Sequence, residues 1–249
     1  MDIQNFDERR DIVIPGNKEA TIRFSVEHFI CLANEAIEKN NLFSVALSGG
    51  STPASIYRLL SQPEHRDKVD WSKILIFWSD ERAVPPDDKD SNYRMSMESG
   101  FDSIPLNSNQ IFRMKAEANI EENALEYEKL IQSVIPGGIF DFVMLGMGED
   151  GHTASLFPQT HGLHTGNRLV VANYIPEKNC WRMTLTFKCI NAANHAVIYV
   201  LGKGKASMVE KALSEPYSPD SIPIQRVGTQ EKKALWVLDS EAISDFLLK

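Results

Sequence analysis

The chain has 249 residues, 43% hydrophobic and 24% charged, with a formal net charge of −8. This is the balance of a globular chain long enough for one large domain over residues 1–249, and it argues against disorder. An acidic chain has no general electrostatic reason to bind nucleic acid or an anionic membrane, so any anionic ligand needs locally placed Arg or Lys.

The N-terminal MDIQNFDERRD is too charged for a signal peptide, and no apolar run approaches the ~20 residues of a membrane span; a cytoplasmic location is expected by default. Residues 19–40 carry Ile22, Val26, Phe29, Ile30, Ala33, Ala36 and Ile37 at helical spacing. Phe43–Leu47 reads as a short buried strand, cut off by Ser48-Gly49-Gly50, and Pro53 then sits in the first turn of a helix ending near Leu60. Lys73–Trp78 is a second buried strand, ended by Ser79-Asp80-Glu81-Arg82. Residues 120–134 form a helix whose inner stripe is Ile120, Ala124, Leu125, Tyr127, Leu130 and Ile131. Phe140–Leu145 is a third buried strand, followed by Gly146-Met147-Gly148. Strands near Met183–Phe187 and Ala196–Leu201, a helix near Ala206–Leu213, a strand at Ala234–Leu238 and a closing helix complete the chain.

Near-continuous apolar strands alternating with helices predict a mostly parallel sheet covered on both faces, with ligands bound beyond the carboxyl ends of the strands. Loops 48–53, 79–82 and 146–152 each follow a strand and are therefore expected on one rim. In the first, two glycines allow close backbone approach, and the N–H groups opening the next helix suit an anion; a plain strand–helix turn explains the pattern equally well. It is neither a Walker A loop nor a nucleophile elbow. In the second, Asp80 could hold hydroxyls and Arg82 an anion, although a solvated turn has the same composition. The third satisfies G-x-G-x-x-G, but no acidic residue follows at the distance a dinucleotide fold requires, and Pro158 stops any long helix. It does place Asp150 two residues before His152, where a carboxylate can fix one imidazole nitrogen and leave the other as a base. Arg182 and Lys205 supply the cations such a site needs, or are surface charges. His161 and His164 lie in a polar loop and read as exposed rather than metal-binding. Cys31, Cys180 and Cys189 form no C-x-x-C pair and suggest neither a disulfide framework nor a zinc ribbon.

Taken together, the loops resemble the 6-phosphogluconolactonase family, part of a superfamily that includes glucosamine-6-phosphate deaminases. The matching stretches are SGGSTP at 48–53, WSDERAVPPDDKDSNYRM at 78–95, GMGEDGHTASLFP at 146–158, RMTLTF at 182–187, LGKGK at 201–205 and the ending ALWVLDSEAI. The resemblance implies an open, mostly parallel, Rossmann-like α/β fold with helices on both faces. It implies hydrolysis of 6-phosphogluconolactone, a phosphorylated sugar lactone, in the pentose phosphate pathway, with no metal or organic cofactor, by a monomer. By motif, His152 would be the general base and Asp150 its neighbour at the reaction centre. Gly49, Gly50, Ser51, Thr52, Asp80 and Arg82 would contact substrate, and Arg182 and Lys205 would hold its phosphate. The deaminase branch has a glutamate just before the proline of this loop, where Phe157 stands here; the sequence follows the lactonase pattern. A nicotinamide-binding oxidoreductase is the other enzyme class weighed.

Overall fold

The computed structural model describes residues 2–247. These residues form ten strands, β1 (Gln4–Asn5), β2 (Arg10–Gly16), β3 (Phe43–Leu47), β4 (Ile74–Trp78), β5 (Asp80–Arg82), β6 (Phe142–Gly146), β7 (Val170–Ile175), β8 (Cys180–Leu185), β9 (His195–Val200) and β10 (Ala234–Asp239). The helices are α1 (Lys18–Asn40), α2 (Ser51–Leu60), α3 (Pro63–Arg66), α4 (Asn92–Glu98), α5 (Ile120–Val134), α6 (Phe187–Ala192), α7 (Ala206–Ser214) and α8 (Ser244–Leu247).

Seven strands form one sheet in the order β1-β2-β10-β9-β6-β3-β4. Only the short β1 runs antiparallel; every other pairing is parallel. β3 and β10 are buried at every position, as strands covered on both faces must be. Register shows what covers each face. Val45 pairs with Phe142, so Phe43, Val45 and Phe142 face one way, and Phe29 of α1 packs its ring on both phenylalanines. Ala46 pairs with Phe77, which faces the other way and meets Tyr127 of α5 edge-on. The α/β, mostly parallel architecture expected from the apolar runs is thus the one observed.

Local chemistry fixes the element ends. Asn17 caps α1 by accepting from the Ala20 N–H, and Asn41 ends it in the left-handed region at φ 56°. The expected strand through Phe187 stops at Leu185, because the Thr186 side chain accepts from the Cys189 N–H and starts α6 instead. On α5, Ala124, Tyr127 and Ile131 are buried, whereas Leu125, expected on the inner stripe, is 44% exposed. Position 125 follows Ala124 by one residue, a rotation of about 100°, which carries it off the buried face. Among the described residues, no helix is long and apolar enough to cross a membrane.

A second sheet, β5-β8-β7, is antiparallel throughout. β5 follows β4 after one residue, so this small sheet springs directly from the carboxyl rim of the large one. Its register sets Arg82 opposite Arg182, exactly-paired positions brought together from segments a hundred residues apart in sequence.

Candidate active site

The carboxyl ends of β4, β3, β6 and β9, neighbours in the sheet, carry the loops that begin at Ser79, Ser48, Met147 and Leu201. They enclose a cleft of about 270 Å³, to which the β7–β8 hairpin adds Lys178 and Arg182. Each loop has its own fastening. Tyr57, fully buried on α2, donates to the Ser48 carbonyl at 2.8 Å and accepts from the Ser48 N–H at 3.0 Å. Gly50 follows at φ 105° and is lined up as the N-cap of α2 without a side-chain bond. Ser51 and Thr52 are the first two residues of that helix and lie outside the cleft lining, whereas Ser48, Gly49 and Gly50 line it.

The 146–152 loop closes on itself. Thr153 Oγ1 donates to the Gly146 carbonyl at 2.9 Å, and the Gly148 N–H to the His152 carbonyl at 2.8 Å. These bonds turn the His152 ring into the cleft. Its Nδ1 lies against Asp150 Oδ1 in a close contact, and its face stacks on Phe157 with centroids 3.9 Å apart. The Asp150 side chain stands behind the imidazole rather than in the cleft wall. Burial opposes the Asp150 charge, but its hydrogen bonds and the attraction of His152 prevail, holding the carboxyl below its ordinary value. With Nδ1 engaged, Nε2 is the ring nitrogen left for chemistry.

Asp80 and Arg82 both reach the cleft. Asp80 is buried, accepting from Ser155 Oγ at 2.6 Å and from Asn92 Nδ2 at 3.1 Å. The intervening Glu81 points elsewhere. Its carboxylate accepts from the N–H groups of Arg82, Asn92 and Tyr93 and from the Ser91 hydroxyl, anchoring the start of α4. Burial raises the Glu81 pKa despite those donors.

Arg82 Nη1 donates to the Asp90 carbonyl at 2.6 Å, while the Nε atoms of Arg82 and Arg182 are buried with no protein partner. Two adjacent guanidinium groups with unused donors are suited to an anion. Lys205 enters from the loop after β9, where Gly202, at φ 92°, is held by its N–H against the buried Asp239 carboxylate at 3.0 Å. Its Nζ lies 3.9 Å from Glu149. An acidic chain therefore concentrates Arg82, Arg182, Lys178 and Lys205 around one opening.

The sequence alone gives no role to Asn92, Lys178 or the ring of Phe157 as a support for His152. Asn92 lies within the stretch WSDERAVPPDDKDSNYRM at 78–95, but nothing local shows that its amide reaches Asp80. His161 and His164 are exposed as expected, although His164 Nε2 comes within 3.3 Å of Asp220, distant in sequence. No cluster of three or more His, Cys, Asp or Glu among the described residues could hold a metal ion.

Residues 16–236 match the family described as glucosamine-6-phosphate isomerases/6-phosphogluconolactonase. A 6-phosphogluconolactonase of Chlamydia trachomatis serovar D is 42% identical over 93% of this chain and 88% of its own length. One from Chlamydia pneumoniae is 39% identical over 97% of this chain and 93% of its own length. Among solved structures, the 6-phosphogluconolactonase of Thermotoga maritima superimposes with a TM-score of 0.81 at 28% identity, covering 93% of this chain and all of that one. The chain belongs to the glucosamine-6-phosphate isomerase/6-phosphogluconolactonase family.

Proposed function

We propose that the protein hydrolyses 6-phosphogluconolactone to 6-phosphogluconate, with His152 as general base. The observation that carries this reading is a single cleft holding an imidazole fixed by Asp150 and Phe157 together with Arg82, Arg182 and Lys205. Relatives named as 6-phosphogluconolactonases supply the substrate.

The phosphate docks on the cationic group, where charge-assisted bonds orient the lactone carbonyl toward His152. His152 Nε2 takes a proton from water as its oxygen bonds to the carbonyl carbon. The resulting tetrahedral oxyanion collapses, the carbon–ring oxygen bond breaks, and the imidazolium returns its proton to the departing oxygen. The product is an open-chain acid, whose carboxyl proton passes to solvent. Asp150 orients the ring and stabilises its charged form during the step. The family's other reaction, opening and deaminating an amino sugar phosphate, is poorly served here: the face of His152 is covered by the apolar Phe157 ring, and no carboxylate stands at that position.

The test is hydrolysis of freshly generated 6-phosphogluconolactone, measured against its spontaneous rate, with glucosamine 6-phosphate as the parallel substrate. Lactone turnover without ammonia release is expected; the reverse would reassign the protein to the deaminase branch. His152→Ala should lower kcat by about 10²–10⁴-fold, the usual worth of a positioned acid–base group, while still binding 6-phosphogluconate. Unchanged turnover in that variant removes His152 from the role.

A further inference from the structure

Asn92 opens α4, is 2% exposed and lines the cleft. Its amide nitrogen donates twice to Asp80, to the backbone carbonyl at 2.9 Å and to Oδ1 at 3.1 Å. Both partners are acceptors. Turning the amide over would set oxygen against two oxygens, so the nitrogen is locked toward Asp80 and the orientation of Oδ1 is fixed. Asn92 Oδ1 then lies over Gly49, in the space a methyl group on that residue would occupy. It takes no hydrogen bond from any described residue. This oxygen opens to the cleft, and a ligand that fills the cleft takes away its solvent, which is costly unless the ligand brings a donor.

The other charged groups of the cleft show which donor would fit. Arg82, Arg182, Lys178 and Lys205 offer only N–H donors and match a phosphate. None of them donates to Asn92 Oδ1, and Asp80 cannot, being an acceptor itself. Sugar hydroxyls can, because each carries a proton to donate. We propose that Asn92 Oδ1 accepts a hydrogen bond from a ring hydroxyl of the lactone and makes Asn92 a specificity-determining residue, selecting hydroxylated over deoxygenated phosphosugar lactones. Gly49 serves this arrangement by leaving room for the amide. The inference rests on the lactonase reading above.

The experiment measures kcat/KM of the wild-type protein for 6-phosphogluconolactone and for its three ring-monodeoxy analogues, then repeats the series with Asn92→Leu and Asn92→Ser. Leucine keeps the volume without an acceptor; serine is small and cannot reach the same point. The wild type should disfavour one analogue by roughly tenfold or more, the usual cost of leaving a buried acceptor unpaired. In each variant whose circular dichroism and melting show a folded protein, that ratio should shrink to within about threefold of unity, whatever happens to the absolute rate. A merely structural Asn92 would lower all four rates together and preserve the ratio, which overturns the proposal. A wild type indifferent to all three deletions overturns it without any variant. Failure of the wild type to hydrolyse the parent lactone would instead remove the lactonase reading on which the proposal stands.

Discussion

At Gly148 the absence of a side chain decides the shape of the site. A methyl group there would overlap His152 Nδ1 and Cε1 and crowd Asp150 Oδ1, all of which form the proposed catalytic pair. Neither neighbour can give way without losing the other. Gly148→Ala is therefore expected to turn the imidazole out of its setting while leaving the cations on the β5–β8 pair untouched. Its kcat should fall by more than about tenfold, because small misplacements of a reacting group are expensive, while KM moves less than about threefold. Steady-state kinetics on the lactone distinguish this from a general loss of fold, which would depress active-site concentration and thermal midpoint together. A kcat within a factor of two of wild type would show that the ring has another way to reach the substrate.

Among the elements, α4 shows how a polar strand end can place a helix. Glu81 Oε1 accepts from the N–H groups of Arg82 and Asn92, at 2.8 and 2.7 Å, and Oε2 from Ser91 Oγ and the Tyr93 N–H, at 3.0 and 2.8 Å. Replacing it by glutamine puts an amide nitrogen before two donors in either orientation. Glu81→Gln should cost about 2 kcal/mol, the scale of buried donors left unmet, seen as a lower denaturant midpoint. An unshifted midpoint would mean that water replaces the lost acceptor. The large sheet was legible because β3, β4, β6, β9 and β10 are apolar runs bounded by glycine or polar turns, and this pattern needs only neighbours in sequence. Of the small sheet only β8 was legible, from the run near Met183–Phe187. β5 is three polar residues and β7 mixes Asn173 and Tyr174 into its run; in the large sheet, β2 contains Arg10, Asp11 and Pro15, so none of these three shows a clean periodicity. His152, Asp150, Gly49, Gly50, Ser51, Thr52, Asp80, Arg82, Arg182 and Lys205 could be named as candidates because each lies in a contiguous motif, although Ser51 and Thr52 lie outside the cleft lining; the facing of Arg82 and Arg182 and the amide of Asn92 arise only from pairing across distant segments.

Over the whole molecule the two rims of the large sheet have separate chemistry. The carboxyl rim holds the cleft. The amino rim carries a pH-sensitive element with no place in the proposed reaction. His28 of α1 stacks on Phe24 at 5.7 Å and meets Phe142, the first residue of β6, edge-on at 6.4 Å. Its Nδ1 is buried without a partner. Burial, reinforced by repulsion from His195 at the start of β9 and only partly offset by Glu35, lowers its pKa from 6.5 to about 4. A base whose folded pKa is depressed binds fewer protons folded than unfolded between those two values. Its contribution is complete above the unfolded pKa and is lost as pH falls toward the folded one. A shift from 6.5 to about 4 corresponds to roughly 3 kcal/mol in total, most of it lost by pH 5. His28→Phe keeps a ring between the two phenylalanines and removes the titration. Denaturant unfolding at pH 7.5 and pH 5 should show the variant losing about 2 kcal/mol less than wild type between them, while the two proteins share one pH–rate profile on the lactone. Equal acid losses would place the titration elsewhere; a displaced pH–rate profile would mean that the rims are coupled through β6, the strand that carries Phe142 at one end and leads into the His152 loop at the other.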